Sequence, residues 1–541
     1  MQLLPIVYVR GFAGPTSGID SAADDPFYGF NEGATHVRVD GDGDPMYYQF
    51  EGPLLRLMTE QGYRFLVHGD QKHYLDTTTE EIPFTTVWVH RFYDRAATTF
   101  GARPRRGLFE RIGDEIAERF TAEGFDIEQA AEDLYELVIT LLKRTGAPAV
   151  HLVAHSMGGL VVRCMMQKIC ETADVAGEPR RPAREIVAKV FTFGTPHGGI
   201  ETVSAIANWA MEVFGPAGSD IFSPDKMFGY LTPGREFGDL PGRDDDWDPQ
   251  RIPPEVFDAD NVFCLVGTDP NDFGAGRFAV GPKSDGLVLI ENAYVRGAHR
   301  AYVYKSHAGR YGEVNSEEGY QNLRRFLFAR WAVSVAFSGL PPASVIEPDV
   351  SWQADMRLAI RGLPIVMSEQ LASHWCPIQL GDELLRHPDS PDSPVPIVST
   401  FLFEKEPPPP EMAGRPNSSY SRYVLTLRVA KLVSSRGTFD FSNHLEQVFD
   451  WADSLIVDVG ANEAGTGLEA WTGWNTAVDG AIDSYDRMPD HLDLESGAAG
   501  SAFGFVELPR AARSLPIIGE RAHLRIGVTD RSPARSGSTG A

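Results

Sequence analysis

Ser156 has the most reactive setting in the chain. It lies in His151–Gly159, HLVAHSMGG, where the apolar run Ala149–Val153 stops. Gly158 and Gly159 follow, and then a helical segment from Leu160. A serine at a sharp strand-to-helix turn is lifted out of the sheet, and small neighbours let the turn close. The helix behind it aims free N–H groups and its positive end at the hydroxyl. A hydroxyl is a poor nucleophile until a base takes its proton. The chemistry on offer is therefore acyl transfer, provided the chain also holds a histidine, an orienting acid and two N–H donors.

For a serine on such a turn the partners come in chain order, acid and then histidine. Asp285, in Lys283–Val288 (KSDGLV), is an acid followed by glycine and an apolar run, which suits a loop at the mouth of a sheet. Asp269 and Asp272 compete, because they follow the apolar run that ends at Val266 and Gly267. His307 lies directly after a strand-like segment and before a helical pattern. Its rival, His299, reads as an exposed turn ahead of that strand. An oxyanion hole needs two backbone donors aimed at the developing charge. The N–H of Met157 is one candidate, and that of Phe12, behind Gly11, is the other. Read alone, Arg10–Gly14 is also a plain tight turn. His155 reads as a space-filling neighbour of Ser156, and His197 as a structural or pocket residue.

The elements that must position these residues alternate in type. Pro5–Val9, Thr85–Val89, Ala149–Val153, Ala188–Phe193, Asn261–Val266, Gly286–Ile290 and Ala301–Tyr304 read as strands. Between them, Leu54–Gln61 reads as a short helix and residues 127–144 as a long one. In the long one Leu134, Leu137, Val138, Leu141 and Leu142 form one apolar stripe. Such alternation implies parallel strands with helical crossovers. Residues 20–50 read as loop or insertion, and Glu317–Phe337 as a closing helix. An insertion at about 200–260, with a helical pattern over Ile200–Phe214, is expected to form a lid or cap.

Beyond Gly339–Pro342 the pattern changes to short alternating runs separated by proline-rich breaks. Val350–Ile360, Tyr423–Val429, Ser454–Val459 and His523–Val528 read as strands of a β-sandwich or barrel. The expected organisation is an α/β domain over residues 1–340, a β-rich domain over 341–530 and a disordered tail over 531–541. The β-rich domain is the candidate surface for a protein partner.

At 541 residues the chain is too long for one ordinary core. Its 75 acidic residues against 49 basic ones leave a net charge of −26, which repels nucleic acid and anionic membranes. No apolar run is long enough to span a bilayer, and no signal peptide precedes the first strand, so a cytoplasmic location is expected. The cysteines Cys164, Cys170, Cys264 and Cys376 include no C-x-x-C pair, and buried free thiols are expected. No zinc-binding H-E-x-x-H, phosphate-binding loop or dinucleotide fingerprint occurs, so neither metal nor cofactor is expected.

Taken as a set, the motifs resemble the lipase branch of the α/β-hydrolase superfamily. Val7–Gly14 resembles the lipase strand with its HGF-type loop, and Ala154–Gly159 the GHSMGG elbow. Phe92-Tyr93-Asp94 resembles the YDWR-like segment of lecithin–cholesterol acyltransferase-like lipases, and Phe193–Gly199 the GTPHxG segment. The resemblance spans residues 5–335. It implies an α/β-hydrolase fold and hydrolysis of a carboxylic ester, lipid-like, through an acyl-enzyme. It also implies Ser156 as nucleophile, His307 as base and then acid, and Asp285 as the orienting acid. Transfer of the acyl group to an alcohol is the alternative, and a non-catalytic binding module on the same fold is another. Two positions depart from the pattern. Ala154 replaces the first elbow glycine, and Arg10 replaces the usual histidine of the facing loop. Residues 341–541 resemble no family.

Overall fold

The computed structural model describes residues 3–11, 34–39, 45–50, 52–65, 71–90, 126–174, 176–200, 221–242, 245–271, 280–307, 312–342, 344, 350–381, 394–404, 420–433, 449–462, 468–497 and 500–531. Apolar strands of the kind that are buried on both faces form the first sheet. In chain order they are β1 (Ile6–Val9), β4 (Arg64–Phe65), β5 (Thr86–His90), β6 (Val150–His155), β7 (Val187–Phe193), β8 (Val262–Gly267) and β9 (His299–Val303). The hairpin β2 (Ala34–Val39) and β3 (Pro45–Phe50) stands apart from them. The sheet runs β4-β5-β1-β6-β7-β8-β9, and every pair in it is parallel. Val7 of β1 lies beside both Trp88 of β5 and Leu152 of β6, so β1 and β6 are central.

Helix α1 (Ile127–Thr145) shows why its sequence is helical. Asp126 caps it by accepting the N–H groups of Glu128 and Gln129, and Gly146, at φ 72°, ends it. Its stripe of Leu134, Leu137, Val138, Leu141 and Leu142 is buried in the core beside the sheet. Helix α2 (Met157–Cys164) starts directly after β6 and continues as a π-turn over Met165–Ile169.

The chain divides into two compact units, Gln2–Leu323 and Arg324–Ala541. The first is an α/β-hydrolase fold and the second is all-β. In the second, β10 (Trp331–Ser338) joins the five-stranded antiparallel sheet β14-β10-β21-β20-β19, in which β19 is the short strand Glu495–Ser496. Facing it is a sheet that runs β12-β11-β15-β16-β17-β18, with β13 on β11, where β12 is Val366–Gln370, β13 Ile378–Gln379 and β18 Asp490–Leu492. The long strands of these sheets are β11 (Val350–Ile360), β14 (Val395–Leu402), β15 (Ser421–Val433), β16 (Trp451–Ala461), β17 (Leu468–Trp474), β20 (Ser501–Glu507) and β21 (His523–Asp530). One apolar core draws on both sheets, which makes the unit a sandwich.

Several expectations change. The closing helix α3 (Glu317–Phe328) ends earlier than expected, and Trp331–Ser338 is strand β10, so the second unit starts before the expected boundary at 340. Gly286–Ile290 is a turn followed by a short 3-10 segment, not a strand. His299 opens β9 instead of preceding it. Residues 34–50, expected to be irregular, contain the β2–β3 hairpin. Arg531 is ordered, with its N–H on Arg330 O, while 532–541 lie outside the described residues. Residues 201–220 of the expected lid lie outside them as well. All four cysteines are buried free thiols. Among the described residues no helix is long and apolar enough to cross a membrane.

Candidate active site

The site lies at the carboxyl ends of the parallel strands, where open α/β sheets bind ligands. Ser156 joins β6 to α2 at φ 52° and ψ −129°. It and Trp375 are the only non-glycine residues with positive φ among those described. Three bonds hold this backbone. Ser156 N–H donates to Phe193 O (2.8 Å), and Ser156 O accepts from Gly159 N–H (3.0 Å) and from the Thr195 hydroxyl (2.9 Å). The elbow is pressed against the end of β1. A methyl group on Gly11 would stand 2.9 Å from Ser156 Cβ, and one on Gly158 would run into Val9 O and Arg10 O. Ala154 takes the place of the first elbow glycine as an ordinary buried residue of β6.

Ser156, His307 and Asp285 come together. His307 Nε2 lies 2.9 Å from Ser156 Oγ, and His307 Nδ1 lies 2.8 Å from Asp285 Oδ2. A carboxylate can only accept, so Nδ1 carries the proton and Nε2 offers its lone pair to the serine hydroxyl. Asp285 is itself fixed. Its Oδ1 accepts the N–H groups of Leu287 (2.9 Å) and Val288 (2.7 Å), and its carbonyl accepts His307 N–H (2.9 Å). The segment expected to be a strand is thus the turn that clamps this carboxylate. Asp269 is engaged elsewhere, accepting from Asn271 N–H and its side-chain amide. Asp272 lies outside the described residues.

Met157 is the first residue of α2, so its N–H has no partner within the helix. Phe12, the other expected donor, lies outside the described residues, as do Phe92–Asp94. Gly11 is described, and its contact with Ser156 puts the start of that loop against the elbow. Arg10 is buried, and its N–H donates to His90 O (3.2 Å).

Two side chains contribute that sequence reasoning missed. His155, expected only to fill space, bonds through Nε2 to His307 O (3.0 Å), and the two rings lie 5.0 Å apart. Glu313, six residues beyond His307, is fully buried, and neither of its oxygens has a hydrogen-bond partner among the described residues. Burial, and then the nearby Asp285, push its carboxyl well above the usual range. The Gly267 N–H favours the charged form without reversing this. No periodicity marks a single buried glutamate, so the sequence offers no signal for it. His155, His307 and Glu313 bring potential ligand atoms within 4.8 Å of one another. Both His307 nitrogens and His155 Nε2 are already committed to the bonds above.

His197 is buried within the α/β unit. Its Nε2 lies 3.1 Å from the Thr192 hydroxyl, and its carbonyl accepts from buried Arg163 (3.0 Å). Burial, with Arg163 adding to it, holds its imidazole well below the ordinary value.

Residues 97–221, which include Ser156, match the family described as "Putative serine esterase (DUF676)". Among solved structures, a Listeria innocua protein is 14% identical, with 60% of this chain and 94% of that one covered at a TM-score of 0.24. The phospholipase PlaB from Legionella pneumophila, solved with thio-NAD, is 10% identical, with 82% and 91% covered at a TM-score of 0.28. At such scores neither likeness carries a reaction across.

Proposed function

We propose that the protein is a serine hydrolase of carboxylic esters that works through an acyl-enzyme. The observation that carries this reading is the continuous chain from Ser156 Oγ through His307 to Asp285, at 2.9 and 2.8 Å, on a strained strand-to-helix turn. The family match over Ser156 supports it independently.

In this reading Ser156 Oγ attacks the ester carbonyl while His307 Nε2 takes its proton. The carbonyl oxygen becomes an oxyanion, held by the N–H groups of Met157 and Phe12. The C–O bond to the alcohol then breaks, and His307 returns the proton to the leaving oxygen. Water, deprotonated by the same nitrogen, frees the acid and restores Ser156. Asp285 keeps the imidazole in the tautomer that can accept and steadies the imidazolium. A lipid-like acyl group is proposed on the resemblance of the elbow and of Phe193–Gly199 to lipases.

The test is Ser156→Ala. A fluorophosphonate probe should label the wild type and leave the variant unlabelled, and hydrolysis of p-nitrophenyl esters should vanish with the labelling. Persistent labelling at another residue would overturn the assignment. A wild-type rate that climbs once the substrate forms micelles would support a lipid substrate, and a flat response would favour a soluble ester.

A further inference from the structure

We propose that Glu313 is a positioning residue of the site: an uncharged carboxyl that packs against the Asp285–His307 pair, so that His307 meets one negative charge and not two. The proposal rests on the roles given above to Ser156, His307 and Asp285.

The geometry comes first. Glu313 is fully buried with both carboxyl oxygens unpartnered among the described residues. Its backbone is pinned, with the N–H on Ser306 O (2.8 Å) and the carbonyl accepting the Ser316 hydroxyl (2.7 Å). Glycines make the space for the side chain. A methyl on Gly194 would collide with Glu313 Oε1 and stand 2.9 Å from His307 Nδ1 and 3.1 Å from Asp285 Oδ2. A methyl on Gly267 would stand 2.8 Å from Asp285 Cβ and 3.3 Å from Glu313 Oε2. The glutamate carboxyl, the imidazole and the aspartate therefore share one small space that two side-chain-free residues leave open.

An ionised carboxyl in that space would have the Gly267 N–H nearby but no cation and no set of hydrogen bonds of the kind that makes a buried charge tolerable. It would also stand beside the charge of Asp285, and two adjacent carboxylates raise the affinity of one of them for a proton. The proton belongs on Glu313, because Asp285 accepts two backbone N–H groups and the imidazole N–H, while among the described residues Glu313 has only the nearby Gly267 N–H. The other titratable groups facing it are His307 and His155. Lys305 turns its carbonyl toward Gly267, and its ammonium pairs with Glu318 (3.6 Å).

The experiment compares full-length wild type, Glu313→Gln and Glu313→Ala. Gln keeps the size and the neutral state, so labelling of Ser156 at pH 7 should stay within about threefold of wild type. Ala removes the packing, and labelling should fall by more than tenfold. As pH rises the wild type should lose activity when Glu313 ionises against Asp285, and Glu313→Gln should hold its activity to higher pH. Infrared difference spectra at pH 7 should show a protonated carboxyl band in the wild type that Glu313→Gln lacks. Three results would each overturn the proposal: no such band, an Ala variant as active as wild type, or a Gln variant as damaged as Ala. The band does not depend on Ser156 being the nucleophile, so it separates failure of this proposal from failure of the ester-hydrolase reading.

Discussion

Ser156 sits in a backbone region that costs a non-glycine residue about 1–3 kcal/mol. The bonds from Phe193, Gly159 and Thr195 hold it there, and the result is a hydroxyl aimed at His307. Asp285 has a similar division of labour, with one oxygen on the turn and the other on the imidazole. Asp285→Asn should keep the turn, because an amide oxygen can still accept from Leu287 and Val288. The NH2 group would then face His307 Nδ1 and force the proton onto Nε2, where it blocks the serine. We expect a loss in kcat of roughly ten-thousand-fold, the scale for a wrong tautomer in a serine triad. Ester turnover of a folded Asp285→Asn protein measures it, and a loss under tenfold would move the orienting role elsewhere. Ser156, Asp285 and His307 are legible in sequence because their order along the chain is itself the signal. The bond from His155 to the His307 carbonyl is not, because it joins residues 152 positions apart through a backbone atom.

At the scale of elements, what could be read depended on periodicity. The central strands and α1 are unambiguous, since their apolar runs and stripe fit one period only. Trp331 and Val335 fit two, because a spacing of four serves a helix face and a strand face alike. The deciding residues are Val333 and Phe337, which complete an alternation buried along β10. Gly286–Ile290 misleads for a different reason. Its apolar side chains suit a strand, but the Leu287 and Val288 N–H groups are taken by Asp285. The elbow helix α2 depends on close approach to β1. A methyl on Gly158 would meet backbone carbonyls of Val9 and Arg10, which cannot swing aside as a side chain would. We therefore expect Gly158→Ala to cost about 1–3 kcal/mol, the range for overpacking a tight core. The denaturant midpoint measures that cost. Ser156 labelling should slow in the protein that remains folded, because α2 carries the Met157 donor. An unchanged midpoint would mean that α2 has room to shift.

Among the described residues the two largest apolar cores draw on residues between 7 and 295 and on residues between 331 and 528. Their responses to acid differ in origin. In the α/β unit His90 is fully buried with Nε2–H donating to Ala130 O, and burial lowers it to about 4. His197 is lowered too, by burial and then by Arg163. An unfolded histidine takes its proton near 6.5, before either folded one does. The stability these two contribute is therefore present above that pH and is lost as pH falls from 6.5 toward 4. For His90 alone the loss is roughly 3 kcal/mol over that window. Glu313 acts with the opposite sign. Its folded form holds a proton that the unfolded chain releases above 4.5, so its contribution is full in acid and fades as pH rises. We expect the two histidines to outweigh the glutamate, so that acid costs the α/β unit stability. In the β unit burial raises Asp355, which favours the folded state as pH falls. Calorimetry of the full chain at pH 7 and at pH 4.5 should resolve two transitions. The one that abolishes Ser156 labelling should drop further on acidification than the other. One transition that moves as a whole would show that the cores unfold together. Equal shifts would show that His90 and His197 do not set the acid limit of the α/β unit.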